Sequence, residues 1–126
     1  MSFVYEDDQV VAFMDIQPVN TGHVLVVPRQ HFAALGELPE SIGARVFTVG
    51  QRLAAAIRRS GVRCEGVTLT LADGAAAGQE VMHCHLHVLP RFGGDTYHVS
   101  TSWSTPPRHE LDAVAALIRA ALADSG

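Results

Sequence analysis

The chain has 126 residues, enough for one ordinary domain and too few for two. Apolar residues make up 48% and charged residues 17%, which excludes a disordered chain, and 9 Lys and Arg against 13 Asp and Glu give a formal charge of −4. That balance argues against a nucleic-acid partner held by a basic face, and no apolar run reaches the ~18 residues of a membrane span.

In chain order, the start Met1-Ser2-Phe3-Val4-Tyr5-Glu6-Asp7-Asp8 has neither the basic nor the apolar region of a leader, and a cytoplasmic location is expected. The first quarter reads as strands. Val10 to Phe13 is apolar and follows the acidic turn Glu6-Asp7-Asp8. Asp15 to Gly22 carries Pro18, Asn20 and Gly22 and reads as a loop. Gly22 to Val27 is a β-branched run that stops at Pro28, which has no N–H for a sheet ladder.

Ile42, Val46, Val49, Leu53 and Ile57 recur at steps of three and four, so residues 39–60 are predicted to form a helix with one apolar stripe. Pro39 suits its first turn and Gly61 its stop. Val67 to Leu71 reads as a strand with three apolar residues on one face and two threonines on the other. After the turn 73–78, Val81 to Leu89 reads as a strand ending at Pro90. Residues 91–105 are irregular. Leu111, Val114, Leu117, Ile118 and Leu122 then predict a second helix, with Thr105-Pro106 as cap and first turn. Strands in sequence with two separate helices imply an α+β fold with a mainly antiparallel sheet, residues 1–126 forming a single domain.

Cys64 and Cys84 are the only cysteines and form no CxxC, so neither a disulfide framework nor a thiolate metal site is indicated. The chemistry concentrates in His83-Cys84-His85-Leu86-His87. Along a strand, His83, His85 and His87 share one face at ~7 Å intervals, while Cys84, Leu86 and Val88 point into the core. Folding requires no such row of imidazoles. The row suits either a metal, with His23 and His31 as further donors, or nucleophilic and acid–base catalysis. Arg91, at the end of the strand, could face an anion.

Two blocks carry a resemblance. Gly78-Gln79-Glu80-Val81-Met82-His83-Cys84-His85-Leu86-His87-Val88-Leu89-Pro90-Arg91 resembles the signature of the histidine triad (HIT) superfamily. Ala12-Phe13-Met14-Asp15-Ile16, then Pro18, Gly22-His23-Val24-Leu25-Val26-Val27-Pro28 and His31, matches a second conserved block of that superfamily. The resemblance implies a five-stranded antiparallel sheet with a long helix and a C-terminal helix, paired as a homodimer through helix 39–60. It implies a purine nucleotide hydrolase or nucleotidyl transferase that breaks a bond at the α-phosphate through a covalent nucleotidyl-histidine.

By the same resemblance His85 is the nucleophile, and His87 and His23 contact phosphate and leaving group. Gln79 lies beside the α-phosphate after Gly78, Asp15 receives the ribose hydroxyls, Ile16 touches the base, and His83 supports the site. No metal or other cofactor is required. Three departures from the family pattern stand out. Ala72 replaces an asparagine, whose polar contact could pass to Asp73. Glu80 replaces a serine or threonine, and a carboxylate there disfavours an anionic leaving group, so a nucleoside phosphoramidate is the expected substrate. Many members carry CxxC, whose cysteines join residues matching His31 and His83 on a structural zinc; without it, that zinc is not expected. Dinucleoside polyphosphate hydrolysis, or nucleotide binding without catalysis, are the alternatives. Trp103 with Pro106-Pro107 is placed either over a pocket of this or a neighbouring subunit, or in the core.

Overall fold

A computed structural model describes residues 1–124. Five strands, β1 (Phe3–Glu6), β2 (Val10–Met14), β3 (Val24–Pro28), β4 (Gly66–Thr70) and β5 (Leu86–Arg91), form one antiparallel sheet in the order β1-β2-β3-β5-β4. Two helices accompany it, α1 (Glu40–Arg59) and α2 (Arg108–Asp124). The α+β class, the strand count and the two helices agree with the sequence reading.

Strand periodicity divides the sheet into two faces. Val10, Ala12, Val24, Val26, Leu86 and Val88 point to one side and pack under Val46, Val49 and Ile57 of α1. This is the predicted helix stripe meeting the predicted strand residues, and burial of these aliphatic side chains holds the layers together. Gly50 brings helix and sheet close: a Cβ there would lie 2.8 Å from Leu86 Cδ2. Pro39 stands just before α1, and its carbonyl accepts the N–H groups of Ile42 and Gly43. The opposite face carries Phe13, Leu25 and Val27, with His87 directly across from Leu25.

Several boundaries differ from the sequence reading. β1 was not drawn separately; Tyr5 and Asp7, with Arg45 of α1, tie its end to the helix. β5 begins at Leu86, not at Val81, because the preceding residues bond elsewhere: Cys84 N–H donates to the Phe32 carbonyl at 2.6 Å. α2 starts at Arg108, and the Pro107 carbonyl receives its first N–H groups, so Thr105-Pro106 lies ahead of the helix. None of the described α2 residues is buried, and its apolar stripe of Leu111, Val114, Leu117 and Ile118 is exposed. Trp103 is 90% exposed, which rules out the core placement. No helix among the described residues is long and apolar enough to cross a membrane.

Candidate active site

Three adjoining hollows open on the face away from α1. The central one, about 420 Å³, is lined by Asp15, His23, Gly78, Gln79, Glu80, His85 and His87 among others. It therefore gathers most of the residues that the sequence singled out. An apolar hollow of about 240 Å³ adjoins it through Leu25, Val81 and His85, and adds Phe13, Val27 and His83. A third, about 360 Å³, adjoins it on the other side through His23 and His87.

Backbone groups fix which nitrogen of each central imidazole carries hydrogen. His85 Nδ1 lies 2.7 Å from the His83 carbonyl, which can only accept. Nδ1 is thus the N–H of a neutral His85, and Nε2 keeps its lone pair. At His23 the polarity is reversed. Val19 N–H donates to His23 Nδ1 at 3.2 Å, so the hydrogen sits on Nε2. That Nε2–H faces His87 Nδ1 at 2.9 Å and the Asp15 carboxylate at 3.6 Å, and the shorter contact is the hydrogen bond. His87 Nδ1 accepts, which leaves Nε2–H as its remaining donor.

Burial pushes the His23 imidazolium below its ordinary range, with Asp15 opposing. Burial does the same at His87, helped by His85 and His23 and opposed by Asp15. Both rings are therefore neutral near pH 7, consistent with the hydrogen assignments above. His85 and His87 meet edge to face, 4.8 Å between ring centres.

The triad shares a face as predicted, but its members diverge in role. His83 precedes the strand and its Nε2–H donates to the Pro28 carbonyl at 3.0 Å, with its ring 4.9 Å from that of His31. His83, His85 and His87 thus do not converge on one point, and a metal shared by the three has no geometric basis. A structural zinc on His31 and His83 finds no third donor clustered with them among the described residues. Asp15, His23 and His87 do cluster, with ligand atoms within 4.8 Å of one another. As hydrogen-bonded here, His23 has its lone pair on Nδ1: a metal on its Nε2 would need the ring hydrogen on Nδ1, facing the Val19 N–H.

Gln79 is buried, and its amide is fully engaged. Oε1 accepts from Gly74 N–H, while Nε2 donates to the carbonyls of Ala33 and Val81. In this arrangement the side chain clasps the loop that forms the cavity wall. Gly78 adopts φ +94° at the end of a short turn of helix, a conformation natural to glycine, and so aims the chain back toward the histidines. Glu80 lines the central hollow beside His85.

Ile16 is 92% exposed, next to Asp15 but outside the lining of the three hollows, whose apolar wall is formed by Phe13, Leu25 and Val27. Asp73 accepts from Leu35 N–H and lines none of them, so Ala72 presents only a methyl where a polar contact was considered. Arg91 does not offer its charge to an anion: Nε and Nη2 bind both oxygens of Asp95, four residues on. The sequence reading missed Asn20, Asp95 and Tyr97. Asn20 is buried and donates to the Pro90 carbonyl and to Asp95, both at 2.9 Å.

Comparison with known proteins points to one family. A family model described as the HIT domain matches residues 1–94. An uncharacterized HIT-like protein of Borreliella burgdorferi is 42% identical over 95 residues, covering 75% of this chain and 68% of its own. A crystal structure of a HIT family protein from Bacillus anthracis superposes with a TM-score of 0.85 at 34% identity, over 95% of this chain and 86% of that one. An adenylylsulfatase of Arabidopsis thaliana is 33% identical over 108 residues, 86% of this chain but 53% of that enzyme.

Proposed function

The chain belongs to the HIT family, and from that premise we propose that it hydrolyses a purine nucleoside phosphoramidate at the α-phosphate, with His85 as covalent nucleophile. One observation carries the reading: the His83 carbonyl takes the Nδ1–H of His85, leaving a lone pair on Nε2 of a residue that lines the cavity. A neutral imidazole in this state attacks without first losing a proton.

The steps follow from the groups present. His85 Nε2 attacks phosphorus and forms the N–P bond as the P–N bond to the leaving amine breaks. The electron pair of that bond goes to the amine. The nitrogen of the bond that breaks takes one proton from solvent, so that the amine departs neutral, while the neutral His87 donates its Nε2–H to the phosphoryl group. Water then attacks phosphorus, the N–P electrons return to His85 Nε2, and the water proton goes back to solvent. No metal ion is needed for either step.

The base would lie against Phe13, Leu25 and Val27 and the ribose toward Asp15, the acid of the block that carries the family resemblance. Glu80 lines the central hollow beside His85, and its carboxylate repels a substrate that carries more negative charge than a phosphoramidate. The Arabidopsis relative's name supplies a second reading, with adenylyl sulfate as substrate.

The test is release of AMP from adenosine 5′-phosphoramidate, adenylyl sulfate and diadenosine tri- and tetraphosphate, in buffer containing a chelator. The phosphoramidate is expected to lead by tenfold or more, and His85→Ala is expected to abolish turnover. Normal turnover by a folded His85→Ala protein would overturn the covalent reading, and AMP binding without any turnover would make the chain a nucleotide-binding protein.

A further inference from the structure

The hollow on the far side of His87 has a chemistry of its own. Thr70, Leu71, Ala77, Leu89 and Tyr97 line it beside His23 and His87, and no lysine, arginine or carboxylate does. His85 lines the central and apolar hollows but not this one. In a displacement at phosphorus, the attacking and leaving atoms lie roughly in line. A group expelled by attack from His85 therefore departs past His87, into this hollow.

We propose that it is the leaving-group subsite and that Tyr97 is its specificity-determining wall, suited to an uncharged arylalkyl amine. This rests on the hydrolase reading above and deepens it. A pyrophosphate or sulfate left here would meet Leu71, Ala77 and Leu89 without a compensating cation, and burying such an anion is costly.

Arg91 does not supply one. Its fork holds both oxygens of Asp95, its Nη1 donates to Thr68 Oγ1, and its Nη2 also donates to the Tyr97 carbonyl. Asp95 is held in turn by Asn20 and by Phe92 N–H. The guanidinium instead lies 4.5 Å from the Tyr97 ring centre, with its charge already balanced. It thereby fixes the aromatic wall before a ligand arrives, which lowers the ordering cost of binding. At about 360 Å³ the hollow is large enough for a phenyl or benzyl group.

The experiment uses adenosine 5′-phosphoryl donors that differ only in the leaving group: ammonia, benzylamine, sulfate and pyrophosphate. In the wild-type protein kcat/KM is expected to be greatest for benzylamine. Tyr97→Ala should lower the benzylamine-to-ammonia ratio of kcat/KM at least tenfold, Tyr97→Phe should hold it within twofold, and Thr70→Lys should raise the pyrophosphate-to-benzylamine ratio. Ratios that stay within twofold in Tyr97→Ala, or a wild-type preference for sulfate or pyrophosphate, would overturn the subsite. If the wild-type protein turns over none of the donors, the hydrolase reading fails, and calorimetry then decides the subsite separately. Tyr97→Ala should weaken binding of the benzyl phosphoramidate relative to AMP by tenfold, and an unchanged ratio of dissociation constants would overturn it. Thermal melting of each variant controls for folding.

Discussion

Asn20 gives a sharp quantitative handle on how the site is held. Its two amide hydrogens go to the Pro90 carbonyl at the end of β5 and to the Asp95 carboxylate. Its own carbonyl accepts from His23 N–H at 3.2 Å. One side chain thus ties the loop before β3, the end of β5 and the turn after it. Asn20→Ala removes both donors and leaves the Pro90 carbonyl buried without a partner, at about 1–3 kcal/mol. With the weakened tie to Asp95, a total of about 2–3 kcal/mol is expected. For 126 residues at roughly 2.1 cal/mol/K each, the unfolding entropy is about 0.26 kcal/mol/K, so Tm should fall by about 8–11 °C. Asn20→Asp keeps the shape but sets a carboxylate against Asp95 and a carbonyl, so it should be worse than Ala at neutral pH. Its deficit should shrink as the pH falls into the carboxylate range. Calorimetric or fluorescence melting at pH 7 and pH 4.5 measures both. A shift under 2 °C for Asn20→Ala, or Asn20→Asp more stable than Asn20→Ala at neutral pH, would refute the reasoning.

Three further outcomes are expected. Because burial lowers the proton affinity of His23 and His87 in the folded state, the unfolded chain binds more protons just below the ordinary value of 6.5. Their contribution is therefore complete above that pH and lost as pH falls toward the folded values; urea melts should show His87→Gln with a shallower pH dependence between pH 7 and 5. Gly50→Ala adds a methyl 2.8 Å from Leu86 Cδ2, and overpacking of about 1–3 kcal/mol should exceed the ~0.5–1 kcal/mol gain in helix propensity; an increased urea midpoint would contradict this. Phe47 is 58% exposed on α1, away from the sheet, and a homodimer through that helix predicts that Phe47→Glu halves the mass seen by light scattering.

The sequence exposed the parts of the fold that follow from periodicity. The stripe Ile42-Val46-Val49-Leu53-Ile57 and the alternation of Val24, Val26, Leu86 and Val88 each specify a buried face, and the two faces meet as expected. Alternation also put the histidines opposite Leu86 and Val88. It overran the strand, however, because residues 81–85 satisfy their backbone through Phe32 and the Gln79 clasp. Those partners lie up to some fifty residues away and leave no local trace. The same holds for Asn20, whose contacts are 70 and 75 residues distant. Arg91 was the opposite case. Asp95 stands four residues on, behind Gly93-Gly94, and that short spacing across a glycine turn was a legible sign that the arginine had a local partner. For α2 the stripe was legible, but amphipathicity states only that a face prefers cover, and the described residues do not bury it.

The direction of the chemistry lies one level deeper than residue identity. An imidazole carries its hydrogen on either nitrogen, and the letter His does not say which. Two backbone groups decide it here. The His83 carbonyl takes the hydrogen of His85 and leaves a lone pair on Nε2; Val19 N–H occupies the lone pair of His23 and, through it, makes His87 a donor on Nε2. Reversing both groups would exchange nucleophile and donor while leaving every side chain unchanged. The His-x-His-x-His pattern thus identifies the participants, and the fold fixes their roles through an N–H and a C=O held at opposite ends of the site. The Val19 contact can be removed without touching a histidine. Val19→Pro deletes that N–H, frees His23 to place hydrogen on Nδ1, and should lower kcat more than it raises KM. The same variant opens the Asp15–His23–His87 set to a divalent ion, so zinc should inhibit Val19→Pro at lower concentration than wild type. Equal zinc sensitivity, with kcat unchanged, would show that the backbone does not set the polarity of the site.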